Sequence, residues 1–356
     1  MIFDLIKRLF STSKPTNKPV PAVLDQQPMT KLPQAEAVNL IPELEQDDSD
    51  RLSLATSFND FLLGTQTKDN QPPNEAERFV VNSLENMLRG KIPDSAVPRL
   101  PEVAMLLLKE LTNPDVTQET IMSHIQRDPA LASEVLRMSN SALFRLSGGE
   151  KIVNLDKALI LMGLDGLKTI VSSVLMKRLM VIAPIYFRMF GQHLWQHSLD
   201  CAHACRALAK YYGRADPNNA YLVGLMHDTG KLAIFRLLTQ ALAQDLDIQP
   251  RGSVFSGIVR DNSQSLSVKI AREWALPDYL LTALGEQIGI KSIGDCSIYG
   301  FILNQANMLA EFKSVAEMAV KSNESFDVML EKYSIPLHLF TEVFPKEAEA
   351  LTAGYG

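Results

Sequence analysis

The chain of 356 residues carries 35 Lys and Arg against 41 Asp and Glu, a formal net charge of −6, with 46% hydrophobic and 21% charged residues. That balance excludes collagen-like, wholly disordered and low-complexity classes, and the lack of a positive excess argues against nucleic acid as a partner. Three scattered cysteines make no disulfide framework, the opening residues lack a secretory layout, and no run reaches the ~18–20 continuous apolar residues of a spanning helix, so a cytoplasmic globular protein is expected.

Residues 2–10 place Ile2, Ile6 and Leu9 on one helical face, Phe3 and Phe10 beside it, and Lys7 and Arg8 opposite. This reads either as a weak, reversible anchor to a membrane surface or a partner, or as a frayed terminus, since under three turns is marginal alone in water. From Ser11 to Asn74 the chain holds eight prolines and the acidic cluster Glu43, Glu45, Asp47, Asp48 and Asp50. Such a segment buries too little apolar surface to offset its conformational entropy, so 1–73 is expected to be a disordered tail. Within it Leu52, Leu54, Phe58, Phe61, Leu62 and Leu63 form one apolar island, a short docking helix or a weakly packed segment with transient order.

A lead-in helix is expected over 74–94. Asn74 is a natural N-cap with Glu77 three residues on, and Phe79, Val80, Leu84, Met87 and Leu88 recur at helical spacing up to Gly90. Helical periods then run through Leu100–Leu111, Val116–Arg127 and Pro129–Met138, where Asp128 can cap and Pro129 suits the first helical position. They continue through Asp156–Met162, Leu164–Met180, Tyr186–Tyr212, Asn218–Asp228, Leu232–Leu246, Leu266–Trp274, Asp278–Gln287 and Ile298–Phe312, with a C-terminal group from Val315 onward. No alternating strand pattern with hairpin turns interrupts them, so the body is expected to be all-α.

Among six histidines, His227 is followed directly by Asp228 in Leu225-Met226-His227-Asp228-Thr229-Gly230-Lys231. An imidazole and a carboxylate side by side, joined by a second imidazole from another helix, can hold a divalent cation and activate water toward a phosphoester. His197, on the preceding long helix, is the natural second ligand; a capped helix end is the alternative for an isolated His-Asp pair.

With these residues in view the chain resembles the HD superfamily, and within it the HDOD (HD-related output domain) branch of bacterial signalling proteins, from about Val97 to Ala310. The first half is similar in Leu100-Pro101-Glu102-Val103-Ala104, Arg127-Asp128-Pro129-Ala130-Leu131, Ser139-Asn140-Ser141-Ala142 and Ile152 leading to Gly163. The second is similar in Leu194-Trp195-Gln196-His197-Ser198-Leu199, Gly224 to Lys231, and Trp274-Ala275-Leu276-Pro277. The resemblance implies an HDOD domain over 95–290, with an N-terminal helical bundle at 95–185 and an HD-like bundle at 186–290, followed by C-terminal helices over 291–356 that pack on the latter.

The resemblance also implies departures from the catalytic pattern. Ser263 and Gln287 stand where two-metal relatives carry histidines, and Asn307 stands where a closing Asp is expected, which removes a negative charge from the metal shell. What remains is a vestigial site of His197, His227 and Asp228 with Lys231 one turn on, able to hold a divalent metal weakly or not at all. No catalytic residue and no cofactor is therefore assigned.

Other candidates read as structure. Cys201 and Cys205 share a helix face with His197, a spacing open to soft-metal ligation but equally to small core residues. Cys296 has no basic neighbour to activate it. His203, near Arg206, reads as a surface residue, and His124, His193 and His338 have no motif around them. Gly148-Gly149 lacks the downstream Lys-Ser or Lys-Thr of a phosphate loop and reads as a turn, while Asn140-Ser141 reads as a structural cap. The expected function is a non-catalytic signal-transduction module acting through contacts with signalling proteins. The alternatives are a metal-dependent phosphohydrolase or cyclic-nucleotide phosphodiesterase with a reduced site, and a nucleotide-sensing module without turnover.

Overall fold

The computed structural model describes residues 48–64, 74–90, 102–113, 115–141, 144, 151–180, 189–242, 251–288 and 296–353. Every regular element among them is a helix, as the periodicities predict. Two helices come first, α1 (Asp48–Leu63) and α2 (Glu75–Arg89); α3 (Glu102–Leu111), α4 (Gln118–Gln126), α5 (Pro129–Ser139) and α6 (Leu155–Met180) follow. The second group is α7 (Phe190–Tyr212), α8 (Pro217–Met226), α9 (Thr229–Leu242), α10 (Gly252–Glu273), α11 (Asp278–Gly285) and α12 (Ile298–Lys321). Short helices α13 (Phe326–Lys332), α14 (Leu337–Val343) and α15 (Pro345–Ala353) end the chain.

Local chemistry sets many of the helix ends. Asn74 Oδ1 accepts from the Glu77 N–H at 2.9 Å while Glu77 Oε2 accepts from the Asn74 N–H at 2.7 Å, the reciprocal cap that the spacing predicts. Asp128 Oδ1 accepts from the Leu131 N–H at 2.9 Å, with Pro129 in the first helical position. Asn140 grips the loop before α6: its Nδ2 donates to the Ile152 carbonyl at 2.8 Å and its Oδ1 accepts from the Ile152 N–H at 2.9 Å.

Helix α6 is two limbs joined at Gly163, whose φ of 69° breaks the helix where the sequence separates two periods. The stretch Leu155–Lys177 is long and apolar enough to cross a membrane by length and composition, yet half of its apolar window is buried within the protein. Leu167, Ile170, Val171 and Val174 are fully buried, and Ser173 shares a 2.7 Å hydrogen bond with Tyr221 of α8. The second limb thereby joins the two groups of helices.

Two expectations are corrected. Residues 48–63, assigned to the disordered tail, form α1, which packs on α10, α12 and α7. Leu54, Phe58 and Leu62, at i, i+4 and i+8, are all buried, and Asp50, Arg51 and Ser57 bond to Ser334, Asn304 and Tyr333. The stripe is visible in the sequence, but the surface that covers it lies some two hundred residues later. Helix α10 begins at Gly252 rather than near Leu266. Its first turns carry Ser256, Gly257, Asn262 and Ser263, which dilute the apolar period, and packing against α9, α1 and α2 holds it instead. Its entry is fixed by Arg251, whose Nε donates to the fully buried Glu77 at 3.0 Å. The remainder of the expected tail, including the helix at 2–10, and the Gly148-Gly149 turn lie outside the described residues.

Candidate metal centre

Helix α8 stops at Met226, so His227 and Asp228 occupy the turn into α9 rather than a continuous helix. The turn is tight because of Gly230: a Cβ there would lie 1.9 Å from the Ser263 carbonyl oxygen of α10. The absent side chain lets the start of α9 sit directly on α10, and the Gly230 N–H donates to Ser267 Oγ at 2.8 Å. On the other side α7 presents His197 and α12 presents Asn307.

Four donor atoms converge from these three places. His197 Nε2 and His227 Nε2 are 3.2 Å apart, Asn307 Oδ1 lies 3.1 Å from the first and 3.0 Å from the second, and Asp228 Oδ2 lies 3.3 Å from each. A point about 2 Å from all three corners of the His197, His227 and Asp228 triangle exists at this spacing, the distance at which imidazole and carboxylate bind zinc-like ions, and Asn307 Oδ1 lies beside two of those corners. His197, His227 and Asp228 are all buried. The donor set therefore fits one divalent cation.

The supporting contacts are unequal. His227 Nδ1 lies 2.7 Å from the Gly224 carbonyl, which can only accept, so the proton sits on Nδ1 and Nε2 faces the cluster. His197 Nδ1 is buried and has no hydrogen-bond partner among the described residues. Its ring rests against Phe58 of α1, with centroids 4.2 Å apart. In the neutral ring the proton stays on Nε2, where acceptors face it. Freeing Nε2 for a cation strands that proton on Nδ1, at a cost of about 1–3 kcal/mol.

The charges are paired but crowded. Burial drives His197 down to about 4, against the pull of Asp228. Burial also opposes charge on His227 and Asp228, yet each outweighs it for the other: His227 lies well above the ordinary imidazole range and Asp228 well below the carboxylate range. Lys231 Nζ donates to Asp228 Oδ2 at 2.9 Å and lies 5.0 Å from the Phe58 ring centre.

Ser263 and Gln287 border a pocket of about 90 Å³ beside Asp228 and Lys231, together with Arg260 and Asn59. Neither reaches the four donors. The Gln287 amide donates to the carbonyls of Ala283 and Gly300 at 2.9 and 3.0 Å. Cys201 and Cys205 are buried free thiols, and Cys205 packs beneath Gly224. His203 is corrected from surface to half-buried: it lies against Phe144 and Tyr221, and burial, with Arg206 nearby, pushes it down to about 4.

Two residues escape a reading by motif. Phe58 closes one side of the centre from a helix far upstream. Glu311 lies one turn after Asn307, buried on the pocket wall, and accepts from Asn307 Nδ2 at 3.2 Å. The i, i+4 spacing of Asn307 and Glu311 was the available signal.

Comparison with known proteins supports the same assignment of fold. An uncharacterized protein of Treponema pallidum (strain Nichols) is 24% identical over 219 residues, covering 60% of this chain and 41% of that protein, so the chain spans about two fifths of that relative. The solved structure of an HDOD domain protein with unknown function from Geobacter sulfurreducens aligns with a TM-score of 0.52 at 19% identity, over 78% of this chain and 94% of that one. A presumed metal-dependent phosphohydrolase from Shewanella amazonensis SB2B aligns with a TM-score of 0.51 at 21% identity, over 76% and 100%. The sequence profile of the HDOD domain matches residues 97–288, which span α3 to α11 and include His197, His227 and Asp228, and on that match the chain belongs to the HDOD domain family.

Proposed function

We propose that the protein is a non-catalytic, cytoplasmic regulatory module that transmits a state through contacts with signalling proteins. The observation that carries this reading is the cover that α1 places over one side of the centre. Phe58, fully buried, lies on His197, and the space left beside Asp228 is about 90 Å³. Sites for drug-sized ligands run to roughly 300–1,000 Å³, more than this space offers, which favours a reading without a bound nucleotide. The absence of imidazole at Ser263 and Gln287 supports the reading further, since neither side chain suits a second ion.

The donor distances favour one addition to this reading: the cluster holds a single divalent ion as a brace. His197, His227, Asp228 and Asn307 would hold it, tying α7, the α8–α9 turn and α12 together. Such an ion supplies Lewis acidity when bound; here Lys231 keeps Asp228 ionised and Phe58 excludes water from His197.

Turnover decides the matter. Purified full-length protein, supplied with manganese, magnesium or iron, is expected to hydrolyse neither cyclic dinucleotides nor phosphomonoesters, and His227→Ala is expected to lower the melting temperature. Multiple turnover that His227→Ala abolishes while the fold is retained would overturn the proposal.

A further inference from the structure

We infer that Glu311 is the positioning residue of the centre: it holds the Asn307 amide with Oδ1 turned toward the cluster, and so makes a neutral side chain serve as the fourth ligand of a divalent cation. The inference rests on the reading of the cluster as a cation site.

An amide has two unlike faces, of which only Oδ1 can ligate. The cluster alone does not choose between them, since an NH₂ at this place could donate to an imidazole nitrogen. Glu311 chooses. As a carboxylate it only accepts, it stands one helical turn beyond Asn307 on the same face of α12, and its Oε1 lies 3.2 Å from Asn307 Nδ2. A flipped amide would set its oxygen against that carboxylate.

Burial opposes charge on Glu311, and the nearby Lys231 and His227 offset that only in part. Glu311 is 7% exposed, and the one hydrogen bond it accepts among the described residues comes from Asn307. A buried carboxylate so thinly supported is costly. A divalent ion ligated by Asn307 Oδ1 would draw the amide dipole toward itself and strengthen the Asn307–Glu311 hydrogen bond, which gives the residue a reason to be there. Both residues lie outside the 97–288 span matched by the family.

The test uses cobalt(II) alone as the probe, titrated into full-length protein and read by its visible ligand-field spectrum, with circular dichroism as a check on folding. Glu311→Ala is expected to weaken cobalt binding 10–100-fold, the usual effect of losing a partner to a ligand. Glu311→Gln, which retains an acceptor, is expected to lose less. In an Asn307→Asp background both faces of the ligand are oxygen and no orientation is needed, so Glu311→Ala is expected to leave cobalt binding unchanged or tighter. An equal loss in both backgrounds would show a merely structural role and overturn the inference. So would wild-type-like binding by Glu311→Ala, while loss of binding in His227→Ala would leave the cation reading standing. If the wild-type protein takes up no cobalt, the cation reading falls and the inference with it.

Discussion

Truncating Phe58 to alanine tests whether α1 is a part of the centre or an accessory to it. The ring is fully buried, touches the His197 ring at 4.2 Å and receives the Lys231 ammonium at 5.0 Å. Removing a buried phenylalanine costs about 3–5 kcal/mol, and loss of the ammonium contact adds to it. Because α1 docks from outside the bundle onto α10, α12 and α7, that loss is expected to fall on its docking equilibrium rather than on the core. At about 1.4 kcal/mol per decade, amide exchange protection over 48–63 should drop by about two to four decades. Peptides from α7 and α12 should change little beyond the residues facing the new void. Hydrogen exchange read by mass spectrometry measures both at once. Unchanged protection in α1, or an equal loss throughout α7 and α12, would refute the reasoning.

Acid sensitivity and backbone packing give two further tests. His203 is held near 4 when folded against 6.5 when free, so the unfolded chain binds more protons between those values and stability falls as pH drops through that window. Between pH 7.5 and 5 this amounts to at most about 2 kcal/mol for a half-buried ring, and His203→Gln should remove that part of the pH dependence of the urea midpoint. Gly230→Ala sets a Cβ 1.9 Å from a backbone oxygen, which no side-chain rotation relieves. It should separate α9 from α10 and lower the melting temperature by well over 5 °C, whereas Gly257→Ala, with open space around it, should not.

The helices were legible because their signals are local. Asn74 with Glu77, and Asp128 with Pro129, are capping groups within four residues of the N–H groups they serve, and Gly163 interrupts a period at one residue. Adjacency marked His227 and Asp228, and the resemblance led to Asn307 through its register in a late helix. What could not be read was anything decided by a partner far along the chain. The apolar stripe of α1 was plain, but burial of Leu54 and Phe58 depends on α10 and α12, and composition alone made that stripe part of a tail. Glu311 carries no local mark, and only the packing of α12 turns its side chain inward.

The sequence by itself determined the all-α class, most helix boundaries and the chemical types gathered at the centre, because periodicity and capping are properties of neighbouring residues. Only the tertiary structure decided that His197, His227, Asp228 and Asn307 meet within 3.3 Å in five of six pairs, and that Phe58 covers the His197 side. Such distances follow from how α1, α7, α9 and α12 pack, and packing is settled by shape and burial summed over the whole bundle, which no local pattern encodes.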